Sequence, residues 1–143
     1  MLESLIGRGL QREASDPAEI QRLLRKIGTK LADAKNAQIS HDSRFDLAYE
    51  ALLQIGLTAL RANGLRPDSR GGHHVLALQT LDTTIGFPRE RLRLLDRFRR
   101  QRAAGLYDGS FQPSEAEVQA LLDVASELEA HLAKWLESQR TKN

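Results

Sequence analysis

The sequence predicts an all-α protein, a four-to-five-helix up-and-down bundle, on three observations. Leu and Ala are abundant while aromatic residues make up 5% of the 143 residues, and this balance favours helices over strands. Apolar residues recur at helical spacing along most of the chain, whereas no segment alternates apolar and polar residues as a strand does. The length suits a single domain over residues 1–143, with its core in about 16–137.

Helix start and stop signals place the first three elements. Apolar residues at helical spacing predict a short helix over residues 2–10. Asp16-Pro17 supplies an N-cap and a first-turn proline for a second helix that ends near Asn36. A third helix runs from Phe45 to Asn63-Gly64, its C-cap, and its small residues on one side favour close approach of another helix.

The second half of the chain is divided in the same way. His73 and His74 open a short helix that Gly86-Phe87-Pro88 ends. An arginine-rich helix then runs over about 89–104, and a loop over 105–113 leads to the last helix, which begins at the capping box Ser114–Glu117.

The arginine-rich helix carries seven arginines between positions 89 and 102, a local charge of +5 in a chain whose net charge is +2. Leu95 and Phe98 mark its apolar stripe, and a step of four residues from each leads to Arg99 and Arg102. Arginine is rarely buried without a partner, so an inward-facing arginine indicates a cleft, a partner subunit or an anion. An ion pair with Asp46 or Glu50, or a solvated helix face, are the alternatives.

Several classes of site are excluded or disfavoured by the residues present. The chain has no cysteine, and its four histidines lack the spacing of a helical metal site. Gly71-Gly72 lacks the flanking residues of a phosphate-binding loop. No cofactor and no metal are therefore predicted. Because neither a signal peptide nor a membrane span is recognisable, we expect a cytoplasmic protein without membrane contact.

Arginine, histidine and tyrosine remain as carriers of chemistry. Arginine binds phosphodiester oxygens in bidentate fashion, histidine moves protons near neutral pH, and tyrosine donates a hydrogen bond or stacks on a base. The alternatives are helix capping for the histidines and a turn tyrosine covering the core. The predicted catalytic residues are Arg102, Tyr107, His73 and His74. The predicted binding residues are Arg70, Arg99, Arg100, Arg102, Tyr107 and Asp108.

From about residue 16 to 137 the chain resembles the HEPN superfamily of helical domains from prokaryotic toxin–antitoxin and defence systems. Three features carry the resemblance: the helix from Phe45 to Asn63 followed by Gly72-His73-His74, the arginine-rich helix ending Arg99-Arg100-Gln101-Arg102, and Tyr107-Asp108-Gly109 ahead of the last helix. The resemblance implies a helical bundle that forms a homodimer.

Catalytic HEPN proteins carry an arginine, usually a polar residue, three further residues and a histidine, and two protomers combine these motifs to cleave RNA without metal. On this chain the arginine corresponds to Arg102, the polar residue to Ala103 and the histidine to Tyr107. Tyrosine, with a pKa near 10, is a poor proton shuttle at pH 7. The resemblance therefore implies a degenerate ribonuclease, and some family members are instead modified by a partner nucleotidyltransferase.

Three functions follow as hypotheses. The first is a HEPN-like protein of a toxin–antitoxin or defence system that binds RNA or a nucleotide through the arginine-rich helix, with a cognate antitoxin or nucleotidyltransferase as its possible partner. The second is a non-catalytic interaction module, a dimer or partner subunit that contacts no nucleic acid. The third is an active metal-independent ribonuclease that uses His73 or His74. The residues leave open whether the protein is an enzyme.

Overall fold

The structure is a computed structural model that describes residues 2–68 and 72–142. This part of the chain confirms the all-α bundle, with four long helices, two short ones and two three-residue strands. The helices are α1 (Pro17–Ala34), α2 (His41–Ala62), α3 (His73–Gln79), α4 (Leu81–Ile85), α5 (Leu92–Tyr107) and α6 (Glu115–Thr141). None of these helices is long and apolar enough to cross a membrane.

Local capping chemistry fixes the helix starts. The Asp16 carboxylate accepts a hydrogen bond from the Ala18 amide at 3.0 Å, which caps α1 directly before Pro17. At α6, the hydroxyl of Ser114 accepts from the Glu117 amide, and the Glu117 carboxylate accepts from the Ser114 amide. The predicted cap and capping box are both confirmed.

The prediction of a helix over residues 2–10 is wrong. A single 3₁₀ turn spans Leu2–Leu5, and β1 (Leu10–Arg12) follows and pairs antiparallel with β2 (Leu65–Pro67). Gly7 and Gly9 separate the turn from the strand with φ of 83° and 125°, values that end a right-handed helix. The N-terminal segment therefore covers the C-terminal end of α2 as a small two-stranded sheet.

Helix α2 lies at the centre of the bundle and contacts each of the other five helices. Its residue Gly56 permits a close approach of α3, because a Cβ atom there would lie 2.6 Å from the carbonyl oxygen of Ala77 in that helix. The predicted close approach of a helix is thus confirmed at Gly56. The same packing sets α3 against α2 and places His74 beside Tyr49.

Helix α5 continues to Tyr107, so the predicted loop beginning at Gly105 is wrong by three residues. Leu95 and Phe98 are buried as expected. Gly105 lies inside the helix, where the absence of a side chain lets the following segment pack closely against α5. A Cβ atom at Gly105 would lie 3.3 Å from the carbonyl oxygen of Phe111. The segment leading to α6 therefore folds back over the last turns of α5.

Candidate functional site

Arg102 projects from α5 into the space between α5 and α2. Its guanidinium carbon lies 5.8 Å from the centroid of the Tyr49 ring, and its side chain is 24% exposed. Its Nε atom lies 3.9 Å from a carboxylate oxygen of Asp46, too far for a hydrogen bond, and bonds to no described group. The alternative pairing with Asp46 thus exists only as a long contact, and Glu50 contacts Lys30 instead.

Arg99 also lies at this side of α5, but its partner is on its own helix. Its Nε and one terminal nitrogen donate to the same oxygen of Asp96 at 3.0 and 2.9 Å. The other oxygen of Asp96 lies 2.8 Å from Nε of Arg100. One carboxylate therefore balances two arginines, and their combined charge remains positive.

Helix α3 brings the two histidines to the same place. The hydroxyl of the buried Tyr49 and Nδ1 of His74 lie 3.4 Å apart, and the direction of this hydrogen bond follows the tautomer of His74. The rings of His73 and His74 meet edge to face at 4.9 Å between centroids. Tyr49, His73, His74, Arg99 and Arg102 together form what we call the arginine–histidine cluster.

Burial and positive charge control protonation within the cluster. Partial burial lowers the pKa of His74 below 6.5, and the charges of His73, Arg102 and Arg99 lower it further, so the imidazole is neutral at pH 7. Burial raises the pKa of Tyr49 above 10, so its hydroxyl keeps its proton. The cluster thus presents arginine cations beside a neutral imidazole.

A pocket of about 360 Å³ opens beside Arg102, between the start of α2 and the end of α5. Asp46 contributes to its wall, and burial raises the pKa of this carboxyl group, with Asp42 and Glu50 adding to the effect against the opposing charge of Arg102. Arg102 lines this pocket, so a ligand there would lie against its side chain.

The other predicted site residues lie elsewhere. Tyr107 is 84% exposed, and five residues of α-helix set it about 140° around α5 from Arg102. It therefore neither covers the core nor joins the cluster. Asp108 accepts a hydrogen bond from the Ser110 amide at 2.8 Å, and its bonds to Ser110 lower the pKa of its carboxyl group. Arg100 is exposed, and Arg70 lies outside the described residues.

Sequence reasoning missed the role of Tyr49, which lies within the third predicted helix. The available signal was a hydroxyl on an otherwise apolar stripe, because a buried tyrosine hydroxyl usually finds a hydrogen-bond partner. That His74 is this partner depends on the packing of α3 against α2, which no local pattern encodes. Asp96, which binds Arg99 and Arg100, was likewise missed.

Comparison with known proteins adds no family assignment. No protein-family model matches the chain, and no curated protein or solved structure is significantly similar to it. Within residues 2–68 and 72–142, no group of three or more histidine or carboxylate side chains is arranged to hold a metal ion. Membership of the HEPN superfamily stays a prediction, and the geometry of the cluster carries the functional argument.

Proposed function

We propose that this protein binds RNA or a nucleotide through the arginine–histidine cluster, with the phosphate group against Arg102. The single observation that carries the proposal is the state of Arg102. Its guanidinium is mostly enclosed, is 3.9 Å from the nearest carboxylate oxygen of Asp46, and leaves Nε without a hydrogen bond among the described groups. Leaving a charged donor unsatisfied is costly, and an anionic oxygen would satisfy it.

The surroundings of Arg102 suit an anionic group such as a phosphate. Arg99 and Arg102 supply positive charge. His74 beside them is neutral, so it offers a hydrogen bond and does not repel the two arginines. Arginine matches the oxygens of a phosphodiester in bidentate geometry. A single phosphate among these three groups would satisfy donors that come from two helices.

The same proposal includes the setting that the resemblance implies. In it the protein is a HEPN-like member of a toxin–antitoxin or defence pair, a homodimer in which Tyr107 stands where catalytic relatives carry histidine. A cognate antitoxin or nucleotidyltransferase is then its partner. These parts rest on the sequence motifs alone, whereas the binding of phosphate rests on the contacts of Arg102.

Fluorescence anisotropy with a labelled twelve-nucleotide single-stranded RNA tests the binding. We expect affinity to fall steeply between 50 and 200 mM salt, because each neutralised phosphate releases counterions. Arg102→Gln should weaken binding about tenfold and reduce the slope of log affinity against log salt by about 0.7, the contribution of one phosphate contact on a single strand.

The matched control is Arg22→Gln, which removes one exposed arginine from α1. It should leave affinity and salt slope unchanged, which separates a local contact from the effect of net charge. Circular dichroism melting of both variants shows whether the fold is retained. An Arg102→Gln protein that is folded and binds RNA as the wild type does would overturn the proposal.

A second candidate is metal-independent cleavage of RNA, favoured by the position of His74. A neutral imidazole beside two arginines has the arrangement of a general base next to a charge-stabilising pair. His74 would take the proton of a 2′-hydroxyl, whose oxygen attacks the adjacent phosphorus. The bond to the 5′-oxygen breaks, and that oxygen takes a proton from His73 or water.

Incubation of the same RNA with the protein in EDTA tests cleavage. If the candidate holds, the wild type yields fragments with 2′,3′-cyclic phosphate ends, and His74→Gln still binds RNA but loses cleavage. Wild-type protein that binds RNA and leaves it intact would eliminate cleavage and retain binding.

A further inference from the structure

The outward side of α5 carries a row of arginines that the arginine–histidine cluster does not use. Arg93, Arg97 and Arg100 fall within about 60° of one another around the helix. All three are exposed, and Arg93 and Arg97 have no ion-pair partner among residues 2–68 and 72–142. Adding Arg89, whose nearest carboxylate contact is 4.0 Å long, extends the row beyond the start of α5.

These four arginines line one groove. It measures about 740 Å³ and lies between α5 and the segment formed by α3 and α4, whose contributions are Gln79 and Asp82. Four arginines face only two carboxylates there, Asp82 and Asp96, so the groove is positively charged along its length. A charged groove of this kind tracks the backbone of a single-stranded nucleic acid.

The groove is connected to the arginine–histidine cluster through shared residues and a shared wall. Asp96 lines the groove and at the same time binds Arg99 of the cluster. Helix α3 contributes His74 to the cluster and its last residue, Gln79, to the groove. A strand lying in the groove would thus arrive at the cluster without leaving the surface between α3 and α5.

Tyr107 stands on the same side of α5 as the arginine row. It is seven residues beyond Arg100, two turns of helix, and is therefore about 20° from Arg100 around the axis. Its ring is 84% exposed and, with the neighbouring Leu106 at 60%, is one of two large apolar side chains left uncovered in the described part of the chain. An uncovered aromatic ring at the end of a basic row is the arrangement on which a base stacks.

We propose that the outward side of α5 is a binding track for single-stranded RNA, in which Arg89, Arg93, Arg97 and Arg100 contact successive phosphates and Tyr107 stacks on a base. The inference rests on the proposed function and extends it, because it names a polynucleotide rather than a mononucleotide as the ligand. The track from Arg93 to Tyr107 rises by 14 residue steps of helix, about 21 Å.

Strand length therefore distinguishes the track from the cluster. A dinucleotide reaches about 7 Å and fits the cluster alone, whereas twelve stacked nucleotides reach about 41 Å and span the track. We would measure the affinity of the full chain for both labelled RNAs. The double variant Arg93→Gln/Arg97→Gln should weaken the twelve-nucleotide RNA at least tenfold, reduce its salt slope by about 1.4, and change dinucleotide affinity less than twofold.

The matched control, Arg22→Gln/Arg25→Gln, removes two exposed arginines from α1 and should leave both affinities unchanged. Tyr107 is tested by replacing the ring. Tyr107→Ala should weaken the twelve-nucleotide RNA about fivefold or more, and Tyr107→Phe should retain affinity because the π-face is kept.

The outcomes separate failure of the track from failure of the proposed function. Equal affinities for the two lengths, with no effect of the arginine or tyrosine variants, would overturn the track and leave the proposed function standing. Wild-type protein that binds neither RNA would overturn both. If Tyr107→Ala changes the oligomeric state in light scattering and leaves RNA affinity unchanged, Tyr107 belongs to a protein contact and its stacking role is wrong.

Discussion

The guanidinium of Arg102 lies over the ring of Tyr49, with 5.8 Å between the guanidinium carbon and the ring centroid. An aromatic face stabilises a cation without occupying its hydrogen-bond donors. Arg102 is therefore held in place while its Nε makes no hydrogen bond among the described groups. The two residues lie on α5 and α2, so the packing of these helices holds the Arg102 guanidinium beside an aromatic ring.

The first prediction concerns the titration of His74. Its pKa lies below 6.5 because of partial burial first, and then because of the charges of His73, Arg102 and Arg99. Arg99→Gln/Arg102→Gln should raise the pKa of His74, since removing two cations makes protonation easier, while burial keeps it from returning fully. NMR titration of the ring protons measures this. An unchanged pKa in the double variant would show that the arginines do not act on His74.

Much of the fold was predictable because its signals are local. Asp16-Pro17 and the Ser114–Glu117 box mark helix starts through hydrogen bonds that span two or three residues. The two strands escaped prediction because each has three residues, too few for an alternating pattern. Gly105 was misread as a stop because its reason is tertiary, the close approach of Phe111.

The candidate site was predictable only in part. The step from the apolar stripe to Arg99 and Arg102 was visible along the sequence. That His74 meets these arginines across Tyr49 depends on three helices that are distant in sequence. Tyr107 was predicted to share a site with Arg102 because only five residues separate them in sequence. The turn of the helix places the two side chains on different sides of α5.

The second prediction compares two glycines in helices. Gly56→Ala places a Cβ atom 2.6 Å from the backbone oxygen of Ala77, so α3 must shift and stability should fall by about 1–3 kcal/mol. At Gly28 of α1, the nearest atom to a new Cβ is 3.9 Å away, so Gly28→Ala should stabilise by about 0.5–1 kcal/mol through helix propensity. Urea unfolding measures both. If both variants raised the free energy of unfolding, or both lowered it, the close packing of α3 against Gly56 would be contradicted.

The third prediction concerns Arg61, whose side chain near the end of α2 is 4% exposed. Its guanidinium donates to the carboxylate of Glu19 at 2.7 Å and to the carbonyl oxygens of Glu13 and Ala14 at 2.8 Å. Lysine cannot reproduce this fork, so Arg61→Lys should cost about 3 kcal/mol. The control is Arg140→Lys, in an exposed pair that contributes little. Similar urea midpoints for the two variants would refute the role of Arg61.

The fourth prediction is acid sensitivity at Glu19. Hydrogen bonds from Arg66 and then Arg61 lower the pKa of Glu19 below 4.5. The unfolded carboxylate takes up a proton at higher pH than the folded one, so its contribution to stability is full above about pH 4.5 and is lost as pH falls through the folded pKa. The difference in free energy of unfolding between wild type and Glu19→Gln should therefore shrink on acidification.

The control for this prediction is Glu137→Gln, which changes an exposed pair with Arg140 and should alter stability little at any pH. Chemical unfolding at pH 7, 5 and 3 gives the comparison. A gap between wild type and Glu19→Gln that stays constant from pH 7 to pH 3 would mean that the Glu19 carboxylate gains nothing from its arginines.

An NMR titration of ¹⁵N-labelled protein with the twelve-nucleotide RNA shows whether Arg102 receives a phosphate, since it follows the Nε–H signal of Arg102 and the ring signals of His74. Phosphate binding at the arginine–histidine cluster predicts saturable shifts of both sets of signals, because Nε gains an anionic hydrogen-bond partner and the imidazole gains a phosphate neighbour. Signals of Arg102 and His74 that stay in place at saturating RNA would contradict it, whatever else in the spectrum moves.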